Sequence, residues 1–239
     1  IAVGIIAPIL GTIADKGAAK KKFLGLFAGL GVLFTAMMAF IPEGGWAWAL
    51  VAYVVSTIGF QGANILYDSL LVSVTTDEKS DFVSAFGFAL GYLGGGLLFA
   101  VNVLMVLNPE WFGFPDKVAA TKVAFLTVSV WWIVFAIPLF KVVKEPPAPE
   151  PNLGLKRATA EGFIQLKKTI KDIAKLKHIW MFLLAYWLYI DGVNTIMKMA
   201  VKYGQALNLA DDALIKALLI TQFVGFPAAI LFGWLGQKI

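Results

Sequence analysis

Two carboxylates interrupt long apolar runs in this sequence, and any chemistry it performs would centre on them. Asp191 lies in YWLYIDGVNTIMKMA (186–200), with Trp187 four residues before it, Asn194 three after and Lys198 seven after. At helical spacing these four residues share a face. A carboxylate so placed can bind an ammonium group or carry a proton. Equally, it can be a structural aspartate, hydrogen-bonded to neighbouring helices or paired with Lys198. Asp68 closes a second stripe, following Gln61 and Asn64 at i, i+3 and i+7, with Tyr67 adjacent. Gln61 and Asn64 lie deeper in their run and either face a polar cavity or hydrogen-bond between helices. Asn102 is a further amide within reach of such a cavity. His178 is a lone histidine at the boundary of its run and a poor proton relay. The chain has no cysteine, no Ser-His-Asp set, no cluster of metal ligands and no Walker-type phosphate loop. Enzyme chemistry and ATP-driven pumping are therefore unsupported by the sequence.

The elements that must hold these residues follow from composition. Of 239 residues 59% are hydrophobic and 15% charged, and the mean hydropathy is +0.80. A soluble domain of this make-up would expose far too much apolar surface. Apolar runs of about 20 residues recur, the length of a helix crossing roughly 30 Å of hydrocarbon, whereas barrel strands would alternate over about 10 residues. The runs predict spans at 1–14 (truncated), 23–41, 46–67, 84–107, 121–143, 178–199 and 213–235. Counted from His178, Asp191 lies about 20 Å along its helix, beyond mid-membrane. Asp68 falls near a helix end, which suits a gate or interdomain contact better than a cargo site.

Alternation puts loops 15–22, 73–83 and 141–177 on one face together with Lys238, and that face carries 15 of the 20 Lys and Arg residues. The positive-inside rule makes it cytoplasmic. This topology accounts for the net charge of +5 without a nucleic-acid partner. The opposite loop at 108–120 offers Trp111, Phe112 and Phe114 to an interfacial aromatic belt. EPPAPEP (145–151) predicts a stiff, extended linker. After it, the 156–177 segment places Phe163, Leu166, Ile170 and Ile173 on one helical face and Lys167, Lys168, Lys171 and Lys175 largely on the others. It is too polar to span, and predicts a helix at the cytoplasmic headgroup boundary or, alternatively, a partner-binding helix. The first residue is Ile, and both ends fall in or beside helices, so the chain is expected to be a piece of a longer protein with spans on either side.

One loop occurs twice. Residues 11–16 read Gly-Thr-Ile-Ala-Asp-Lys and 233–238 read Gly-Trp-Leu-Gly-Gln-Lys, each after a span containing a proline, Pro8 or Pro227. Each also sits where a helix exits to the same face, and internal duplication marks many secondary transporters. The first copy resembles motif A of the major facilitator superfamily, Gly-x-x-x-Asp-Arg/Lys-x-Gly-x-Arg/Lys-Arg/Lys. Gly11, Asp15, Lys16, Lys20 and Lys21 match it, and Ala18 stands where the second glycine is usual. IGFQGAN (58–64) resembles the superfamily's fourth-helix pattern, keeping Gln61 and Gly62 but carrying Ile58 for the usual Arg. GFALGYLGGG (87–96) resembles its fifth-helix antiporter pattern, with Tyr92 for Pro. Together with YDSLL and YWLYIDGVNTIMKMA, these segments are similar to the vacuole-effluxer-like branch, whose fungal members export amino acids.

The resemblance implies an all-α polytopic membrane protein with the major facilitator fold of two six-helix halves, here incomplete. The second to sixth helices would occupy 1–143, a central cytoplasmic linker with its amphipathic helix 144–177, and the seventh and eighth helices 178–239. It implies a secondary active transporter moving a small polar metabolite, an amino acid outward, by alternating access. A sugar or drug carrier and a non-transporting membrane sensor or scaffold are the alternatives. Asp191, Asn194, Gln61, Asn64, Trp187 and Asn102 would line the path. Gly11, Asp15, Lys16, Lys20, Lys21 and Asp68 would form the cytoplasmic gate, Asp15 accepting bonds from a facing helix N-terminus and the lysines anchoring to lipid phosphates. Gly87, Gly91 and Gly95 would form a helix-packing ridge. No cofactor or metal is implied. The expected partners are a small-molecule substrate and the lipid bilayer, with protons as the candidate coupling ion, no nucleic acid and a monomeric state. The expected location is a bacterial inner membrane rather than a vacuolar one.

Overall fold

The computed structural model describes residues 11, 20–145 and 155–237. The expected span 1–14, apart from Gly11, lies outside the described residues, as do Asp15, Lys16, the prolines at 146–151 and Lys238. Among the described residues the chain is helical and forms no strand. Its long helices are α1 (Lys20–Met37), α2 (Trp46–Asp68), α3 (Ser80–Leu107), α4 (Lys117–Val142), α5 (Leu155–Ala174), α6 (Lys177–Ala206) and α7 (Asp211–Gly236). All but α5 are long and apolar enough to cross a membrane. Each of these six covers most or all of an expected span. However, α3 begins at Ser80 rather than 84, and α6 continues to Ala206 rather than 199. Hydropathy marks where a helix meets lipid, while its hydrogen bonding continues through polar ends such as Asp81 and Gln205.

Local chemistry sets the turns. α1 tightens into a 3-10 turn at Met38–Phe40 and stops at Ile41, which is extended (φ −74°, ψ 126°) as the residue before Pro42 must be. Gly44 then takes φ +80°, a conformation glycine adopts without penalty, and α2 starts two residues on. Asp116 caps α4, its Oδ1 accepting from the Ala119 N–H at 2.7 Å. An N-cap of this type satisfies one of the helix's orphan donors.

Lipid supplies no hydrophobic drive for helices to associate, so close backbone approach and interhelical hydrogen bonds must do it. In α1 and α2, a Cβ on Gly59 would lie 2.5 Å from the Gly31 nitrogen and 2.7 Å from the Phe27 carbonyl oxygen, and one on Gly62 would strike the Phe27 ring. Thr35 and Ser56 share a 2.8 Å hydroxyl contact along the same seam. α4 closes over α1, with Trp132 lying against Gly31 and edge-on to Phe60, and with Ser129 Oγ donating to the Val32 carbonyl at 3.3 Å. At one end, Leu24, Leu66 and Leu70 make a small core with Phe27, Phe140 and Val143. Elsewhere large apolar side chains point outward, Trp46, Trp48 and Trp111 among them, as suits helices facing lipid and its interfaces.

The last two helices behave differently. α7 packs along the length of α3, whereas α6 contributes one buried residue, Gly204, against Leu214 of α7.

Candidate functional site

The end of the bundle carrying the start of α1 and the ends of α2 and α4 is organised by two adjacent lysines. Lys20 is buried, and its Nζ donates to the carbonyl of Ser69, the C-cap of α2, at 3.2 Å. Lys21 Nζ donates to the Phe140 and Val143 carbonyls at the end of α4, at 2.7 and 2.8 Å. In return, the Glu145 carboxylate accepts the backbone N–H of Lys21 at the start of α1. The last carbonyls of a helix lack partners within it, and its field favours a cation there and an anion at the opposite terminus. The pair thus joins the beginning of α1 to the end of α4 with matched charges. The expectation that lysines of this loop reach lipid phosphates is corrected for Lys20 and Lys21, whose ammonium groups turn inward to helix ends. Lys22, by contrast, is exposed. Asp15 and Lys16 of the same expected gate lie outside the described residues.

Asp68 is exposed at the last turn of α2. Its neighbour Tyr67 leans toward α3, the hydroxyl 3.8 Å from where a Cβ on Gly87 would sit. Further into the membrane, Gln61 is exposed and Asn64 half-buried. Asn102 differs from both: it is buried, and its Oδ1 accepts from Thr127 Oγ1 of α4 at 2.9 Å. That interhelical bond gives Asn102 a packing role between α3 and α4.

On α6, Trp187, Asp191, Asn194 and Lys198 all lie on one exposed stripe. Asp191 and Lys198 are two turns apart, about 10 Å along the axis, and they form no ion pair among the described residues. Pairing with Lys198 is thus not what holds Asp191. α2 and α6 share no substantial contact, so the described residues do not bring Gln61 and Asn64 together with Asp191 and Asn194.

The seam between α3 and α7 is built on missing side chains. A Cβ on Gly233 would lie 2.3 Å from Cβ of Ala85. One on Gly225 would meet the Tyr92 ring at 2.8 Å, and one on Gly96 would meet Cβ of Gln222 at 3.2 Å. Ala89 is completely buried in the same helix. Of the ridge expected at Gly87, Gly91 and Gly95, Gly87 lies near the Tyr67 hydroxyl of α2. Gly91 and Gly95 are exposed, with no described heavy atom within 4 Å of an added Cβ. The tight contact falls to Gly96, because the face meeting α7 is set by Ala85, Ala89, Tyr92 and Gly96. Tyr92, which stands where the fifth-helix pattern has proline, fills the space left by Gly225. Gly11, the first-copy equivalent of Gly233, has nothing described within 4 Å.

Sequence reasoning missed Glu145, Gly225 and the Gly31–Gly59 approach. Glu145 lay in a proline-rich segment without periodicity, and no signal marked it. Gly59 and Gly62 did stand in the quoted IGFQGAN segment, where a small-x-x-small spacing was available.

The model of the vacuole effluxer Atg22-like family matches residues 1–77 and 72–239. The uncharacterized MFS-type transporter YxiO of Bacillus subtilis is 40% identical over 99% of this chain and 55% of its own length. A protein of Aquifex aeolicus is 25% identical over 98% of this chain and 53% of its own. Autophagy-related protein 22 of Yarrowia lipolytica is 29% identical over 52% of this chain and 23% of its own. The chain thus spans about half the length of the two bacterial relatives. No solved structure matches it. The chain belongs to the vacuole effluxer Atg22-like family, a branch of the major facilitator transporters.

Proposed function

We propose that the full-length protein is a secondary active transporter that moves a small polar metabolite, an amino acid in the outward direction, by alternating access. The observation that carries this reading is the exposed stripe of Trp187, Asp191, Asn194 and Lys198 on a membrane-length helix. A carboxylate and an amide held at depth suit the ammonium and carboxylate groups of an amino acid, and an intramembrane acid needs such a role to offset its desolvation. The close-packed seam between α3 and α7 supports it further, since two halves that rock against each other must meet along such a contact. The amino-acid cargo and its direction rest on the family relationship alone. Asp191 is proposed as the proton-coupling group and Gln61 and Asn64 as further path residues. The two bacterial relatives favour a bacterial plasma membrane.

Reconstituted full-length protein, assayed for counterflow of labelled amino acids under an imposed pH gradient, tests the proposal. Transport that responds to the gradient in the native protein and not in Asp191→Asn supports it. Unchanged pH-driven transport in Asp191→Asn refutes the coupling role. Sugar or drug flux in place of amino-acid flux moves the cargo to another class, and ligand binding without flux makes the protein a sensor.

A further inference from the structure

α5 cannot span a membrane, yet it is attached to one. Only Lys175 and Leu176 separate its last residue, Ala174, from Lys177 at the start of α6. Leu176, at φ −103° and ψ 86°, breaks the helix between them, while its N–H bonds to the Ile173 carbonyl and its own carbonyl accepts from Trp180 N–H. α5 is thus tethered at the mouth of a membrane-length helix, on the face that alternation of the spans also assigns to Lys20, Lys21 and Glu145.

Its surface is divided lengthwise. At about 100° per residue, Phe163, Leu166, Ile170 and Ile173 fall within about 80° of arc. Lys167, Lys171, Lys175 and Lys168 follow on one flank of that stripe, with the exposed Ile164 among them, and the other flank holds Gln165, Thr169 and Asp172 without a cation. The apolar stripe is uncovered: Phe163 is 50% and Ile170 58% exposed, and the substantial contacts of α5 are with α6 alone. The lysines are exposed as well. Lys175 pairs with Asp172 at 2.9 Å, but at 73% and 53% exposure that pair is worth little and opens readily. Lys167, Lys168 and Lys171 form no ion pair among the described residues.

We infer that α5 is an interfacial anchor for anionic phospholipid. The Phe163–Ile173 stripe enters the headgroup–acyl boundary, and the Lys167, Lys168 and Lys171 flank binds lipid phosphates, fixing the start of α6 to the membrane surface. Charge complementarity selects this occupant. Covering both stripe and flank needs an apolar layer edged by anions, which an anionic bilayer supplies at the depth where the tether holds the helix.

The test uses the full-length protein with one cysteine introduced at Ile170, carrying an environment-sensitive fluorophore. This is placed in nanodiscs of phosphatidylcholine alone or with about one third phosphatidylglycerol. Doxyl-labelled lipid should quench the probe strongly in the anionic discs and weakly in the neutral ones. Replacing Lys167, Lys168 and Lys171 by Gln should lower the docking equilibrium roughly fivefold per lysine, on the order of 100-fold together, and added salt should mimic the loss. The same label at Gln165, on the flank without cations, should remain water-exposed and unquenched in every variant, which reports that α5 has kept its helical orientation. Quenching indifferent to lipid charge and to the three lysines overturns the inference. So does a probe shielded from both water and lipid, which would mean that α5 docks on protein.

Discussion

The clasp between Lys21 and the end of α4 makes a local prediction that can be measured residue by residue. Lys21→Met keeps most of the aliphatic stem and removes both hydrogen bonds, to Phe140 at 2.7 Å and to Val143 at 2.8 Å. Hydrogen bonds from a charged donor contribute about 1.5–3 kcal/mol each. Lys21 is only half-buried, so water competes for the freed carbonyls and screens the charge. We therefore expect about 2 kcal/mol for the two bonds together. The loss should appear where α4 ends, since the Val143 N–H is held by the Leu139 carbonyl at 3.1 Å and is released when that last turn opens. A change of about 2 kcal/mol in the opening free energy corresponds to roughly 30-fold faster exchange. Hydrogen exchange of the full-length protein in nanodiscs, read at residues 140–145, measures this directly. Lys21→Arg should restore most of the protection, because a guanidinium can also donate to two carbonyls. Exchange in Lys21→Met within twofold of the native protein would refute the assignment, and would mean the last turn of α4 is held by its apolar contacts with the Leu24, Leu66 and Leu70 cluster.

Three other outcomes follow from the same packing. Glu145→Gln keeps the shape but removes the anion at the start of α1, and should speed exchange over residues 20–23 by a smaller factor, about two- to fivefold. Gly233→Ala places a methyl 2.3 Å from Ala85 Cβ and should destabilise the α3–α7 seam by about 1–3 kcal/mol; Gly91→Ala, which meets nothing described within 4 Å, should fall within about 0.5 kcal/mol. Apparent melting temperatures of the two variants in detergent should separate accordingly, and equal values would show that the seam is not tight. A double-mutant cycle of Asn102→Ala with Thr127→Val should give a coupling of about 0.6 kcal/mol, up to about 1.7, as for other hydrogen bonds between membrane helices. A coupling near zero would leave Asn102 without its assigned packing role.

Hydropathy and spacing made the helices legible. Six apolar runs became six membrane-length helices because lipid forces every backbone group to be satisfied within its own segment, so the span is a local property of composition. Helix ends were less legible, as Ser80 and Ala206 show, because hydrogen bonding outlasts apolarity. Motif resemblance placed the chain in its superfamily correctly, yet it did not say which glycines meet α7. Small-xxx-small spacing shows that a helix has a smooth face and says nothing about which neighbour comes to it. Asn102 carried the same ambiguity: an amide in a span can face a cavity or another helix, and Thr127, 25 residues away, decided which.

By itself, then, the sequence determined that this is a helical membrane protein, where its chain crosses, which residues line the Asp191 stripe, and that one flank of α5 is basic. These depend only on composition and on a 3.6-residue period. Only the tertiary structure decided that Lys21 closes the end of α4 while Glu145 answers it at the start of α1, that Gly96, Gly225 and Gly233 rather than Gly91 and Gly95 make the α3–α7 seam, and that α5 leaves its apolar stripe uncovered. Each of these is a meeting between segments far apart in the chain. Which partner fills the space of an absent Cβ, or receives a lysine's protons, is set by how helices pack across that distance and by nothing within a helical turn.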